Sequence, residues 1–247
     1  MEVLDLSKIK VKYRNDLNLI PMRNFEAKEM DLFFSICAKM KDQGIAKVRF
    51  DFEQLRELSA YKPTSIDRFS DSLESVYDKM MNLNYRTETE DEIEKFALFT
   101  GFKISKKQQY VEISVNPELE HLINRLTKEF TKFELEEFTE IRSSYAKTMY
   151  RLIKQFKSTG FYKVKIEDFR ERLDIPESYK MGNIDQRVLK PIKNELAPYF
   201  DDLKIIKHKA RKENKIAVIE FRFKEKNSNK NFVPLHNWLE ESKQGKS

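Results

Sequence analysis

The chain has 247 residues, enough for two domains or one large one, and 40% hydrophobic content suffices for small cores beside 36% charged residues. A net charge of +6 and a pI of about 9.1 permit nucleic-acid binding without establishing it, so the distribution of charge matters more than its sum. One cysteine excludes an internal disulfide, no apolar run approaches a membrane span, the opening MEVLDLSKIK has no signal-peptide h-region, and five glycines argue against phosphate-cradling loops; a cytoplasmic protein without a membrane partner is expected.

Residues 1–20 read as an N-terminal arm in which Lys8, Lys10, Lys12 and Arg14 alternate with Ile9, Val11 and Tyr13; a short strand and disorder are both open. Asn24 is a candidate N-cap. After it Met30, Phe33, Phe34, Cys37 and Met40 keep helical spacing until Gly44, which makes Cys37 a core residue rather than a nucleophile. Residues 48–50 predict a short strand. Asp51 and Gln54 then form a capping box for a helix with Leu55 and Leu58 inward. The turn Tyr61-Lys62-Pro63-Thr64-Ser65 leads to a longer helix, ending near Leu83, with Ile66, Phe69, Leu73, Val76, Tyr77 and Met80 inside. Its outer face carries Asp67, Asp71, Glu74 and Asp78, whose repulsion of phosphate makes it a poor groove reader beyond the first turn. An acidic loop over residues 88–94 precedes two alternating strands, Phe96, Leu98, Phe102, Ile104 and then Val111, Ile113, Val115.

Residues 118–143 read as a connector, with a short helix at Leu119, Leu122, Ile123 and Leu126, an extended piece at 130–135, and a solvated acidic face of Glu134, Glu136, Glu137 and Glu140. The pattern then repeats. A helix from Ser144 places Tyr145, Met149, Leu152, Ile153 and Phe156 inside and Lys147, Arg151, Lys154 and Lys157 outside, and Gly160 stops it. Tyr162, Val164 and Ile166 alternate as a strand, and a short helix carries Phe169 and Leu173. From Tyr179 to Ala197, winding at about 100° per residue gathers Ile184, Val188, Leu189, Ile192 and Leu196 on one side. The other side presents Asn183, Gln186, Arg187, Lys190, Lys193 and Asn194, the amides and cations that meet base edges and phosphates. Asp185 falls on the apolar side, exposed in the first turn where it favours the helix dipole, and Pro191 predicts a kink near Arg187 or a restart there. Taken alone the stretch is an ordinary amphipathic surface helix. A hairpin comes next, 203–209 and 215–223, and its Lys204, Lys207, Lys209, Arg211, Lys212 and Lys215 stand against Glu213. The C-terminal tail, 227–247, begins polar and then offers Phe232, Val233, Leu235, Trp238 and Leu239, for docking on the body or on a partner.

Both halves read helix, strand, short helix, longer helix, two-stranded hairpin. Phe52-Glu53-Gln54-Leu55-Arg56-Glu57 faintly echoes Ile166-Glu167-Asp168-Phe169-Arg170-Glu171. That order predicts an α+β fold of two tandem winged-helix domains, each a helix-turn-helix core with a β-hairpin wing, related by internal duplication: 21–117 and 144–226, joined by 118–143. The second unit is the basic one and is expected to grip DNA more strongly. His121, His208 and His236 share no motif, and there is no Walker A stretch and no carboxylate pair suited to two-metal chemistry, so no catalysis, cofactor or metal is expected.

At Arg142-Ser143-Ser144-Tyr145-Ala146-Lys147-Thr148-Met149-Tyr150-Arg151-Leu152 the chain resembles the iteron-binding plasmid replication initiator (Rep) family, and the likeness strengthens over Gln186-Arg187-Val188-Leu189-Lys190-Pro191-Ile192-Lys193-Asn194-Glu195-Leu196 with its proline inside a helix. Phe130-Thr131-Lys132-Phe133 lies where that family joins its two domains, and the resemblance covers roughly residues 20–225. It implies a non-enzymatic protein that binds repeated sites (iterons) in double-stranded plasmid origin DNA, helps open the duplex and recruits host replication proteins such as a helicase or initiator. It also implies a monomer–dimer equilibrium through the first domain and repression of the protein's own promoter. Carried over, Asn183, Gln186, Arg187, Lys190 and Lys193 become the leading DNA contacts. Lys180 and Asn194 flank them, Lys207, Lys209, Arg211, Lys212 and Lys215 lie on the wing, and Lys62, Thr64, Ser65 and Arg68 in the first unit are phosphate contacts. The alternatives are a winged-helix transcriptional repressor without a replication role and a protein–protein scaffold.

Overall fold

The computed structural model describes residues 8–41, 43–44, 46–63, 65–124, 126–210 and 215–226. The chain opens on β1 (Lys10–Arg14), which pairs antiparallel with Phe130–Glu134, and Val11 and Tyr13 are fully buried. Residues 10–20 are therefore not an arm. After β1, a 3-10 turn at Asn15–Leu19 buries Leu17 and Asn18. Tyr13 donates to Asn18 Oδ1 at 2.8 Å, and Asn18 Nδ2 donates to Thr131 Oγ1 at 2.8 Å and to Gln155 Oε1 at 3.0 Å.

The first unit runs α1 (Ala27–Met40), β2 (Val48–Asp51), α2 (Phe52–Leu58) and α3 (Ile66–Met81). Helix α1 begins later than Asn24. Glu26 is its N-cap because the Glu29 carboxylate reaches back to the Glu26 N–H at 2.6 Å, while Asn24, at a φ of 60°, donates its N–H to Asp174 in the second unit at 2.9 Å. The acidic loop of residues 88–94 is a hairpin instead, β3 (Asn84–Glu88) with β4 (Ile93–Ala97). The first three residues of β4 are exposed, and a ladder that buries so little leaves no apolar alternation to read in the sequence. The wing is β5 (Phe99–Ser105) and β6 (Tyr110–Val115), and the sheet order is β2-β6-β5.

After β7 (Phe130–Glu134) and α4 (Leu135–Glu140), the second unit repeats the order with α5 (Ser144–Gln155), β8 (Phe161–Lys165), α6 (Ile166–Arg172), a longer interrupted helix, and a wing of β9 (Phe200–Lys209) and β10 (Ile216–Glu225). Its sheet order, β8-β10-β9, matches that of the first unit: the second wing strand lies between the opening strand and the first wing strand. Two winged helices are thus built to one plan.

Helix α5 departs furthest from its periodicity. Lys147, Arg151 and Lys154, expected outside, are 0%, 1% and 3% exposed. One face of α5 packs on its own unit and the other on α1 and β7 of the first. There Lys147 pairs with Asp31 of α1 and donates to the Phe138 carbonyl. The Arg151 guanidinium lies 5.0 Å from the Phe34 ring centroid. Lys154 reaches Glu225 at 2.7 Å, Glu137 at 3.2 Å and Glu134 at 3.4 Å. The acidic face of the connector is therefore not simply solvated. Glu134 and Glu137 hold Lys154, Glu137 also accepts from the Tyr150 hydroxyl at 2.6 Å, and Glu140 accepts from Tyr199 at 2.7 Å. Phe34, Phe133, Phe138 and Tyr150 pack together in the same place, with Phe34 edge-on to Phe138 at 4.9 Å, and the cores of the two units are continuous.

The N-terminus of α5 is capped twice. Ser143 Oγ accepts from the Ala146 N–H, and Glu195 Oε2 accepts from the N–H groups of Arg142 at 2.7 Å and Ser143 at 3.0 Å. Glu195→Ala is expected to lower unfolding free energy by about 1–2 kcal/mol, as loss of a helix cap does. Urea titration followed by circular dichroism reads it, and an unchanged midpoint would show the carboxylate to be dispensable.

Candidate nucleic-acid interface

The stretch expected as one helix from Tyr179 to Ala197 has three parts: α7 (Met181–Ile184), a π-helical turn at Asp185–Leu189, and α8 (Lys190–Leu196). The Lys190 N–H reaches back to the Asp185 carbonyl, and Pro191 has no N–H to return to Arg187. The irregularity expected near Arg187 thus takes the form of one widened turn. Ile184, Val188, Ile192 and Leu196 stay fully buried, and Leu189 nearly so. Gln186, Arg187, Lys190, Lys193 and Asn194 are all exposed on the opposite side.

The approach to this helix is pinned from α6. Arg170 donates to the Pro176 carbonyl at 3.3 Å and to the Tyr179 carbonyl. Lys180 is exposed, and its N–H goes to Asn183 Oδ1 at 3.1 Å, so the Asn183 oxygen serves as a helix cap and the residue is half-buried. Arg187 stands over Tyr179, its guanidinium 5.3 Å from the ring centroid and its Nη1 donating to the hydroxyl at 3.2 Å. An arginine held this way loses less side-chain freedom when it meets a base or phosphate. Sequence reasoning missed Tyr179 and Arg170 in this role. Tyr179 sits before the first helical turn, where a periodicity argument gives no direction for its ring, and Arg170 acts through backbone carbonyls that no pattern reveals.

On the wing, Lys207 donates to both carboxylate oxygens of Asp185 at 2.8 Å. Asp185, its side chain still 40% exposed, is therefore also a strut between the helix and β9, and Lys207 arrives with a carboxylate already beside it. Lys209 and Lys215 are exposed near the end of the hairpin, while Arg211 and Lys212 lie outside the described residues. In the first unit Ser65 caps α3 by accepting from the Arg68 N–H at 3.3 Å, Lys62 and Arg68 are exposed, and Thr64 lies outside the described residues. Asp67, Asp71, Glu74 and Asp78 are all exposed along α3. The structure therefore brings together the exposed residues of 180–194 with Lys207, and it puts the first unit's cations beside an acidic face. Among the described residues no cluster of His, Cys, Asp and Glu is placed to hold a metal, and no helix is long and apolar enough to cross a membrane.

Residues 10–154 match the family described as initiator replication protein, WH1, and residues 165–223 match its companion, initiator Rep protein, WH2. The chain belongs to the initiator replication protein family. The first of these spans includes β1, β7 and most of α5, the elements that join the units. A curated relative, the probable replication protein rep of Bifidobacterium longum (strain NCC 2705), is 36% identical over 191 residues, which is 76% of this chain and 64% of the relative. The chain thus spans just under two thirds of that relative's length. The crystal structure of Pi initiator protein in complex with iteron DNA superposes with a TM-score of 0.71 over 90% of this chain and 99% of that one. At 15% identity that likeness shows the shared two-winged-helix fold.

Proposed function

We propose that this chain is a plasmid replication initiator that binds directly repeated sites, iterons, in double-stranded origin DNA and reads them chiefly with its second unit. The observation that carries this reading is the exposed row of Gln186, Arg187, Lys190, Lys193 and Asn194 on a helix whose other side is anchored in the core, beside a basic hairpin. Membership of the initiator family supports it. The acidic outer face of α3 leaves the first unit phosphate contacts at Lys62, Ser65 and Arg68 and self-association as its roles. Opening of the duplex, recruitment of a host helicase or initiator, and repression of its own promoter as a dimer belong to the same proposal.

A footprint on DNA upstream of its gene tests it. Protection of several same-direction repeats is expected. Protection of one inverted repeat alone, with no rescue in trans of a plasmid carrying only the origin, would make the protein a repressor.

Salt dependence separates the cations. Each phosphate neutralised contributes about −0.9 to the slope of log K against log salt. Lys190→Ala is expected to flatten the slope by about that amount, and Lys207→Ala by clearly less because Asp185 already compensates it. Anisotropy titrations at several salt concentrations read both, and equal slopes for the two variants would count against the strut. Tyr179→Phe keeps the ring and removes the hydroxyl. It should weaken cognate binding about two- to tenfold, the worth of one solvent-exposed hydrogen bond from the guanidinium, with non-specific binding unchanged.

A further inference from the structure

A cleft of about 910 Å³ lies where the two units meet, between the α2–α3 turn of the first and the segment that leads into α5. Its apolar lining comes from Ala27, Ala60, Tyr61, Pro63 and Ile141. Lys62 and Arg142, both exposed, stand around it against Glu140, and Lys28 beside them is paired with Asp31 at 3.2 Å. Its lining shares no residue with the exposed row of 186–194, and of the residues proposed to touch DNA it includes Lys62 of the first unit.

We propose that the cleft is the intramolecular docking site of the C-terminal tail, which inserts the apolar residues between Phe232 and Leu239. Three observations carry this. The first is where the described chain ends. The Lys226 N–H donates to the Tyr199 carbonyl at 3.1 Å, and the Tyr199 hydroxyl donates to Glu140, in the cleft wall, at 2.7 Å. The tail therefore sets out one tyrosine's length from the cleft. Residues 227–231 extend to at most about 17 Å, longer than that side chain, so Phe232 is the first apolar residue able to arrive. The second is chemical fit. Phe232, Val233, Leu235, Trp238 and Leu239 are followed at once by Glu240 and Glu241, a carboxylate pair matching Lys62 and Arg142 around an apolar lining. The third is position in the family. Both matched spans end before the tail, at 154 and 223, which leaves it outside the two matched winged-helix units.

Trp238 is the single tryptophan, and Cys37 is fully buried, so the test is direct in the full-length protein. Iodide quenching of Trp238 is followed at high dilution, together with energy transfer from Trp238 to a dye on Glu136→Cys, an exposed position of α4 outside the cleft lining. The proposal expects Trp238 to be quenched several-fold less than free tryptophan and to transfer energy to the dye, and Thr139→Arg and Leu235→Ser each to abolish both. Leu235→Ser lies in the tail and keeps the test decisive if Thr139→Arg misfolds. Free quenching of Trp238 would overturn the proposal. So would shielding that appears only as concentration rises, which means a second copy, or shielding without energy transfer, which means another site. DNA binding is not read at any step, so failure here leaves the proposed function standing.

Discussion

Arg187→Ala is expected to weaken binding to the cognate repeat by about 5- to 150-fold and to relax preference at one base pair, the effect of losing one bidentate contact to guanine. Non-specific binding at the same salt should fall far less. Arg187 is the exposed cation of the helix face held by an aromatic partner, at 3.2 Å from the Tyr179 hydroxyl, so its removal takes away a contact already oriented before DNA arrives. A competition series with every single-base variant of the repeat measures it. If all variants, cognate included, weaken equally, Arg187 grips backbone and base reading passes to Gln186 or Asn194.

Removal of one partner from the Asp31–Lys147 pair has the largest expected effect on stability. The two side chains are 1% and 0% exposed. Burial pulls the Lys147 ammonium down to about 8 against the opposing pull of Asp31, and the same burial raises the Asp31 carboxyl. Each charged form is thus disfavoured by its surroundings and held mainly by its partner. Asp31→Leu alone should cost about 3–5 kcal/mol by leaving the buried Lys147 charge without its carboxylate, and Lys147→Met less, because Lys28 still reaches Asp31 at 3.2 Å. The double substitution should recover most of that loss or exceed the starting stability. Guanidinium unfolding of the three variants measures this, and additive losses in the double variant would sink the idea of a coupled pair. The contact joins α1 to α5, so the single variants should also lose the coincidence of unfolding between the two units.

Much of this fold was legible in the sequence because most elements obey a local rule. The spacing of Met30, Phe33, Phe34, Cys37 and Met40, and of Ile184, Val188, Ile192 and Leu196, is one-sided and lands in the core. The repeated order of elements gave the two winged helices, and Pro191 located the widened turn. What failed depended on partners far away in the chain. Lys147, Arg151 and Lys154 look like a solvated face until α1, β7 and α4 bring Asp31, the Phe34 ring, Glu134 and Glu137 to them. Glu134 and Glu137 were misread for the same reason from the other side. Lys207 counted as free positive charge until Asp185 met it across the gap between helix and wing. Of the residues proposed to touch DNA, the exposed row of the helix was readable from periodicity, and the residues that hold it in place, Tyr179, Arg170 and Asp185, were not.

The pairing of β1 with β7 bears on how the protein is made. Lys10 has its partner at Glu134, so the first strand leaves the ribosome more than a hundred residues before the strand that completes it. At about 5–20 residues per second, that interval is on the order of 6–25 s. Through it the apolar side of Val11 and Tyr13 and an open strand edge await cover, and a nascent chain in that condition calls for a chaperone. A gene fragment ending at residue 117 makes the wait permanent and should yield insoluble protein, whereas one carried through α5 supplies β7 and the helix that closes over it.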